Sequence, residues 1–432
     1  MINKENRERI ISLIRREVVP AMGCTEPAAV SLCVAKATEL LGAVPSEIKV
    51  RLSTNILKNA MGVGIPGTGM IGLPIAIALG ALIGKSEYGL EVLRDVNDEA
   101  VARGREYIAS HNIEIKLFEN APSNLHIDVE VSHDTDRVRA TISREHTHFI
   151  YLEKNRAVIF NESPHTDSAG ESADEDADDD VKLDLHTVWE FATESPLEEL
   201  EFILEARRLN EAAAEVAMKN DYGHSMGATM RRCGTPLFGD TPVAHMISLT
   251  SAACDARMGG APIPVMSNSG SGNQGICATM PVVSYAKDIE ASEEQLIRAL
   301  IISHLTSIYI KQSLGRLSAL CGCVVASTGA ASGLVYLMGG GYEQVAAAVK
   351  NMVANLTGMI CDGAKPSCAM KISSGVGTAM MSAMMAMNGH CVSAAEGIVN
   401  DDVDRTIRNL TSIGRDAMRA TDLYVLDIMT CK

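Results

Sequence analysis

Four of the eleven cysteines in this 432-residue chain stand in polar, glycine-bearing contexts: Cys24, Cys321, Cys361 and Cys368. Three of them fall in the runs ALCGC and ICDGAKPSC. Six residues separate Cys361 from Cys368, and Gly363 and Pro366 lie between them. Thiols in such a bent loop can converge on one metal, whereas on a straight helix at this spacing they would point apart. Cys321 lies forty residues before Cys361 and needs the fold to bring it in. Thiolates are the usual ligands of iron–sulfur clusters and of structural zinc, so the pattern suggests a cluster used on a small substrate. The alternative is a set of buried apolar thiols with no ligand role. Cys33, Cys233, Cys254, Cys391 and Cys431 lack the polar context and read as structural, and Cys277 and Cys323 fit either reading.

Two glycine loops could hold the substrate. SNSGSGNQG (267–275) gathers Ser267, Asn268, Ser269, Gly270, Asn273 and Gln274, and IPGTGM (65–70) contains Gly67 and Thr68. Small residues let several backbone N–H groups face one anion, while Asn and Gln side chains add orienting bonds. Neither loop matches a Walker A or a dinucleotide fingerprint, so a carboxylate or amino acid suits them better than a nucleotide. Arg257 could clamp a carboxylate through its planar fork, or could form a structural ion pair. The candidate bases are Lys58, His146, His148 and His224, with His304, Lys311, Lys365 and Lys371 as further protonatable groups near the motifs. His146 and His148, placed on a strand, would share one face and could form a zinc pair. A polar strand face is the plainer explanation.

The elements that must position these groups follow from pattern. Residues 5–18 and 26–42 read as helices, the second opened by Thr25-Glu26-Pro27. Residues 47–53 alternate as a strand, and 88–110 read as helical. From 113 to 161 the period is two, as in an antiparallel group. Beyond 183, helices are expected at 195–219, 241–256, 293–310, 343–357, 376–388 and 401–417. The fold class is therefore α+β: a small N-terminal α+β domain with an antiparallel sheet (1–162), then a mainly α-helical catalytic domain (183–432). Between them, residues 163–182 include seven carboxylates in the run ESADEDADDD and read as a disordered acidic insertion.

Composition narrows the function. A net charge of −16 excludes a nucleic-acid partner, which needs clustered Lys and Arg. The charged N-terminus lacks the apolar core of a signal peptide, so the thiols are expected to be reduced in the cytoplasm. Three runs (61–84, 317–342 and 372–395) carry no Lys, Arg, Asp or Glu over about a membrane's thickness. The first holds seven glycines and two prolines, and no aromatic belts frame the runs. Buried segments of a large enzyme explain them better than a membrane transporter, and no membrane partner is expected.

Several motifs occur together: GCTEPAA (23–29), STNILKNAMGVGIPGTGM (53–70), GLPIAIALGAL (72–82), CDARMGG (254–260), MSNSGSGNQG (266–275), RLSALC (316–321) and MICDGAKPSCAMK (359–371). In this order they resemble the L-cysteine desulfidase family, which is related to the catalytic chain of iron–sulfur L-serine dehydratases. The likeness spans nearly the whole chain apart from the acidic insertion. It implies an oxygen-sensitive [4Fe-4S] cluster held by Cys321, Cys361 and Cys368, with one iron open as a Lewis acid. Cys24 would be a fourth ligand or an active-site thiol. It also implies β-elimination of L-cysteine to pyruvate, ammonia and sulfide without pyridoxal phosphate, with Asn55 and both glycine loops at the substrate. An L-serine dehydratase is the alternative, a homodimer is one assembly the reading allows, and a zinc-binding module is the non-enzymatic one.

Overall fold

A computed structural model describes residues 2–162, 181–233, 239–315 and 317–431. The expected acidic insertion (163–182) lies outside the described residues apart from Val181 and Lys182.

The chain opens with α1 (Lys4–Glu17), whose N-cap Asn3 accepts the Asn6 N–H and whose buried face is Ile10, Leu13 and Ile14. After β1 (Pro20–Met22) comes α2 (Thr25–Leu41), ended by Gly42 in the left-handed region. Next are β2 (Glu47–Leu52), α3 (Thr54–Ala60), a two-strand hairpin of β3 (Gly64–Ile65) and β4 (Met70–Ile71), α4 (Leu73–Leu82) and α5 (Asp98–Ser110). Five strands follow: β5 (Asn112–Leu117), β6 (His126–His133), β7 (Asp136–Ser143), β8 (Phe149–Lys154) and β9 (Ala157–Asn161).

Six strands form one sheet in the order β5-β2-β6-β7-β8-β9. Alternation on β2, β6 and β7 buries Ile48, Val50, Leu52, Ile127, Val129, Val131, Val138, Ala140 and Ile142 beneath α2. The expected antiparallel arrangement holds from β2 through β6 to β9, but β5 pairs with β2 in parallel. The chain between β2 and β5 passes through α3, the hairpin, α4 and α5. Such a long crossover brings it back to the same end, as parallel pairing requires.

The second half contains α6 (Leu185–Glu194), α7 (Leu204–Lys219), α8 (Met226–Cys233), α9 (Pro242–Met258), β10 (Pro264–Met266), α10 (Gly272–Asp288), α11 (Glu293–Leu314), α12 (Gly322–Leu337), α13 (Tyr342–Leu356), α14 (Cys368–Met387), α15 (Val403–Ser412) and α16 (Arg419–Thr430). Helices α3, α4, α10 and α12 are not foreseen by periodicity. They are buried nearly all round, so no polar face exists to reveal a 3.6-residue repeat. The expected helix at 88–110 is regular only from Asp98, after a 3-10 stretch that Gly89 interrupts at φ 54°. That expected at 195–219 begins with 3-10 turns and becomes α only at Leu204.

The three charge-free runs become the β3–β4 hairpin with α4 (61–84), the lead-in to α12 with α12 itself (317–342), and most of α14 with the chain after it (372–395). Among the described residues no helix is long and apolar enough to cross a membrane. The chain's ends cross over between its two cores. Ile10, Leu13 and Ile14 of α1 join the helical core, and β1 pairs with β10. Leu426 of α16 joins the core beneath the sheet.

Candidate active site

The polar-context cysteines of the second half meet through a short backbone pairing. Leu320 and Ile360 form an antiparallel bridge. Beside it the Cys321 N–H donates to the Met359 carbonyl at 3.0 Å, and the Cys361 N–H to the Ala319 carbonyl at 2.7 Å. Cys321 is the N-cap of α12 and Cys368 the first residue of α14. Both thiols thus stand at helix N-termini, where aligned peptide dipoles favour negative charge. Within the 361–368 loop, Gly363 has φ +89° and lies so close to α3 that a Cβ would sit 2.3 Å from the Lys58 carbonyl oxygen.

Cations surround this loop. Lys365 Nζ donates to the carbonyls of Asp362 (2.9 Å) and Gly363 (3.2 Å) and pairs with Asp362 Oδ1 at 2.6 Å. Lys371 Nζ donates to the Ile360 carbonyl at 2.8 Å and pairs with Asp362. Burial would raise the Asp362 carboxyl, but the two ammonium groups outweigh it and hold it at about 2. Burial raises the Cys321 thiol, and its neighbours Cys323 and Cys361 raise it further, while Lys371 opposes them. Burial likewise raises Cys368, against Lys365 and Lys371. Left to themselves, these thiols resist forming several thiolates together; a bound cation reverses that balance, because a coordinating thiol is deprotonated outright. Among the described residues no three His, Cys, Asp or Glu donors close on a single-ion position. Cys321, Cys361 and Cys368 stand on neighbouring segments joined by the Leu320–Ile360 bridge.

Cys24 has different surroundings. It is 4% exposed and precedes α2, and its Sγ–H donates to Glu26 Oε2 at 2.8 Å. Thr25 Oγ1 donates to the same oxygen at 3.2 Å, and Asn59 Nδ2 to Glu26 Oε1 at 3.0 Å. Burial raises the Cys24 thiol well above its ordinary value, and the Glu26 charge adds to this, with Arg257 opposing. Burial also acts to raise Glu26, but His146 and the Cys24 S–H donor outweigh it and hold the carboxyl below its usual range. His146 and Glu26, far apart in sequence, are thus neighbours here.

Arg257 joins this pocket to the glycine loop. It is 3% exposed, and its Nε–H donates to the Gly23 carbonyl at 3.1 Å. Gly272, at the start of α10, packs on the guanidinium: a Cβ there would lie 2.3 Å from Nε. Only glycine permits this approach, which brings an arginine fork beside a helix N-terminus.

The 266–275 loop is held by a fully buried polar chain. The Asn268 side-chain amide donates to His304 Nδ1 and to the His304 carbonyl, both at 3.1 Å, and accepts from Ser269 Oγ at 2.9 Å. His304 Nε2 lies 3.0 Å from Thr279 Oγ1, which itself donates to Gly275 O. The network therefore assigns the His304 proton to Nε2. Asn210 donates to Thr279 and accepts the Met266 N–H. Gln274 Nε2 donates to Asn268 O at 3.0 Å, and Ser267 Oγ to Val19 O at 2.6 Å. Asn273 accepts from Cys254 Sγ at 3.5 Å. Gly270 is left-handed, φ +78°. Ser267, Asn268 and Gln274 thus hold the loop in place, Asn273 bonds to Cys254 and Met258, and the loop backbone is what remains for a ligand.

The other sequence candidates sort as follows. Asn55 is buried on α3. Thr68 bridges its own turn, donating to Ile65 O at 2.7 Å and accepting the Met70 N–H at 3.0 Å. The Gly67 N–H donates to Gly260 O at 3.1 Å, which ties the PGTG turn to the RMGG segment. Lys58 is 1% exposed and its ammonium is paired with Asp422 of α16. His224 is exposed in the turn before α8. The expected His146–His148 strand pair does not form: both lie in the turn between β7 and β8, and His148 Nε2 pairs with Glu162 at 2.8 Å. Sequence reasoning passed over Glu26 and Asn59, although Glu26 stands two residues after Cys24. It also passed over Asn210 and Thr279, which carry no motif. Cys254, read as structural, lies near enough to Cys368 and Cys323 that their charges would oppose its ionisation.

Residues 87–427 match the family described as serine dehydratase alpha chain. The chain belongs to this family. A "UPF0597 protein" of Phocaeicola vulgatus is 61% identical over all of this chain and 99% of its own length. Others so named, from Bacteroides fragilis and Oleidesulfovibrio alaskensis, are 58% and 46% identical, covering 100% and 99% of both chains. The cysteines described above fall inside the matched region apart from Cys24.

Proposed function

We propose that this protein is a [4Fe-4S]-dependent lyase that eliminates the β-substituent of a small amino acid, with L-cysteine as substrate and pyruvate, ammonia and sulfide as products. The observation that carries the reading is electrostatic. Cys321 and Cys368 sit at helix N-termini, Cys361 lies between them in sequence, Lys371 acts on all three and Lys365 on Cys368. Cys24 instead faces a carboxylate.

In this reading Cys321, Cys361 and Cys368 hold the cluster. When bound, the cluster supplies a Lewis-acidic iron that polarises the bond to the leaving group. Cys24 is not a ligand, since a thiolate 2.8 Å from the Glu26 carboxylate would set two buried anions against each other. As an active-site thiol it can hold or pass a proton beside the substrate's α-carbon, with Glu26 accepting its hydrogen bond and Asn59 fixing that carboxylate. Arg257 and the first N–H groups of α10 hold the α-carboxylate. The pocket's burial excludes water from the reacting atoms.

The family description favours a second reading, L-serine as substrate, with hydroxide rather than sulfide leaving. Anaerobic reconstitution followed by parallel assays on L-cysteine and L-serine decides between them. A protein that takes up iron and acid-labile sulfide and forms pyruvate faster from L-cysteine supports the first reading. A preference for L-serine selects the second, and about one zinc with no labile sulfide refutes both.

A further inference from the structure

We propose that Lys371 is the positioning residue of the cysteine site, stapling the three ligand-bearing segments together and supplying the fixed positive charge that several thiolates need. The proposal rests on the reading that Cys321, Cys361 and Cys368 hold a cluster.

Lys371 follows Cys368 by three residues, one turn along α14. Its Nζ donates to the carbonyl of Ile360, the residue before Cys361, and pairs with Asp362, the residue after it. Ile360 in turn forms the bridge with Leu320, the residue before Cys321. A single ammonium group therefore reaches one segment directly on both sides of its cysteine, a second through the bridge, and a third through its own helix.

Lys365 does a different job: all its bonds stay within its own loop, to the Asp362 and Gly363 carbonyls and the Asp362 side chain. The Lys371 side chain is 26% exposed, so its charge is only partly screened by water. Removing it would leave the Ile360 carbonyl without this donor and Asp362 with only Lys365. Cys361 would lose the ammonium group held between its two neighbours, Ile360 and Asp362.

The test compares the full chain with Lys371→Met, Lys371→Gln, Lys371→Arg and Lys365→Met, purified anaerobically. In cluster-free protein, hydrogen exchange is followed in peptides covering 317–323 and 359–367. After reconstitution, iron and acid-labile sulfide are counted, and the decay of visible absorbance in air is timed. Lys371→Met should exchange about tenfold faster in both peptides, as expected on losing a charged hydrogen bond, and should keep less than half the iron. Lys371→Gln can still donate to Ile360, so its exchange should stay near wild type while its absorbance decays faster. Lys371→Arg should keep most of its iron, and Lys365→Met should loosen the 359–367 peptide alone. Unchanged exchange in Lys371→Met, or equal loosening of both peptides by Lys365→Met, overturns the staple. Unchanged cluster lifetime in Lys371→Gln overturns the charge role. If the wild-type chain takes up no iron, the cluster reading fails, while exchange in the cluster-free protein still decides whether Lys371 joins the segments.

Discussion

Three cysteines stand in opposite surroundings. Cys24 donates to Glu26, whereas Cys321 and Cys368 occupy helix N-termini beside lysines. Replacing Cys24 by Ser should therefore lower kcat by about 10²-fold or more, the usual size of a lost proton-transfer group, with iron and labile sulfide unchanged. Loss of the cluster in that variant would instead make Cys24 a ligand. The glutamate was within reach of sequence reasoning, since GCTEP places it two residues on. Asn59 and His146 were not, because their convergence on Glu26 depends on how α3 and the β7–β8 turn pack against α2.

Among the elements, the buried chain Asn210–Thr279–His304–Asn268 fixes the glycine loop against α10 and α11. His304 is fully buried, and burial lowers its pKa to about 3. An unfolded histidine titrates near 6.5. Between these values the unfolded chain binds the extra proton and the folded chain does not, so acid favours unfolding. The stability His304 contributes is fully present above about pH 6.5 and is lost as pH falls towards 3, by up to about 1.4 kcal/mol per pH unit. A His304→Gln variant should show a flatter loss of stability in denaturant titrations between pH 6 and 4. An unchanged slope would mean that another group controls the acid limb. Helices α10 and α12 around this network escaped the periodic reading because burial on all sides erases the amphipathic signal.

For the molecule as a whole, the last helix matters more than its position suggests. Lys58 of α3 pairs with Asp422 of α16, and the two side chains are only 1% and 12% exposed. Lys58→Met should cost ~3–5 kcal/mol by leaving a largely buried carboxylate uncompensated. The double change with Asp422→Leu should recover most of that loss. Denaturant midpoints of the single and double variants measure the difference, and additive losses would show that the pair is not coupled. With α1 and β1 seated against the helical half and α16 paired to α3, the terminal elements tie the two halves together.

By itself the sequence determined which residue types could do chemistry and which stretches alternate or repeat. The thiols near Gly, Asp and Lys, the two glycine loops, and the strands of the sheet were legible because each is a local pattern. Tertiary structure decided which of these groups share a site. It sent Lys58 to a helix more than three hundred residues away, turned Ser267, Asn268 and Thr68 to holding their own loops, and put His146 and His148 in a turn instead of on a strand. It also placed Glu26 against Cys24 and Lys371 across three cysteine-bearing segments. Such choices rest on long-range packing and on the cost of burying charge, and neither has a period or a spacing that the chain could display.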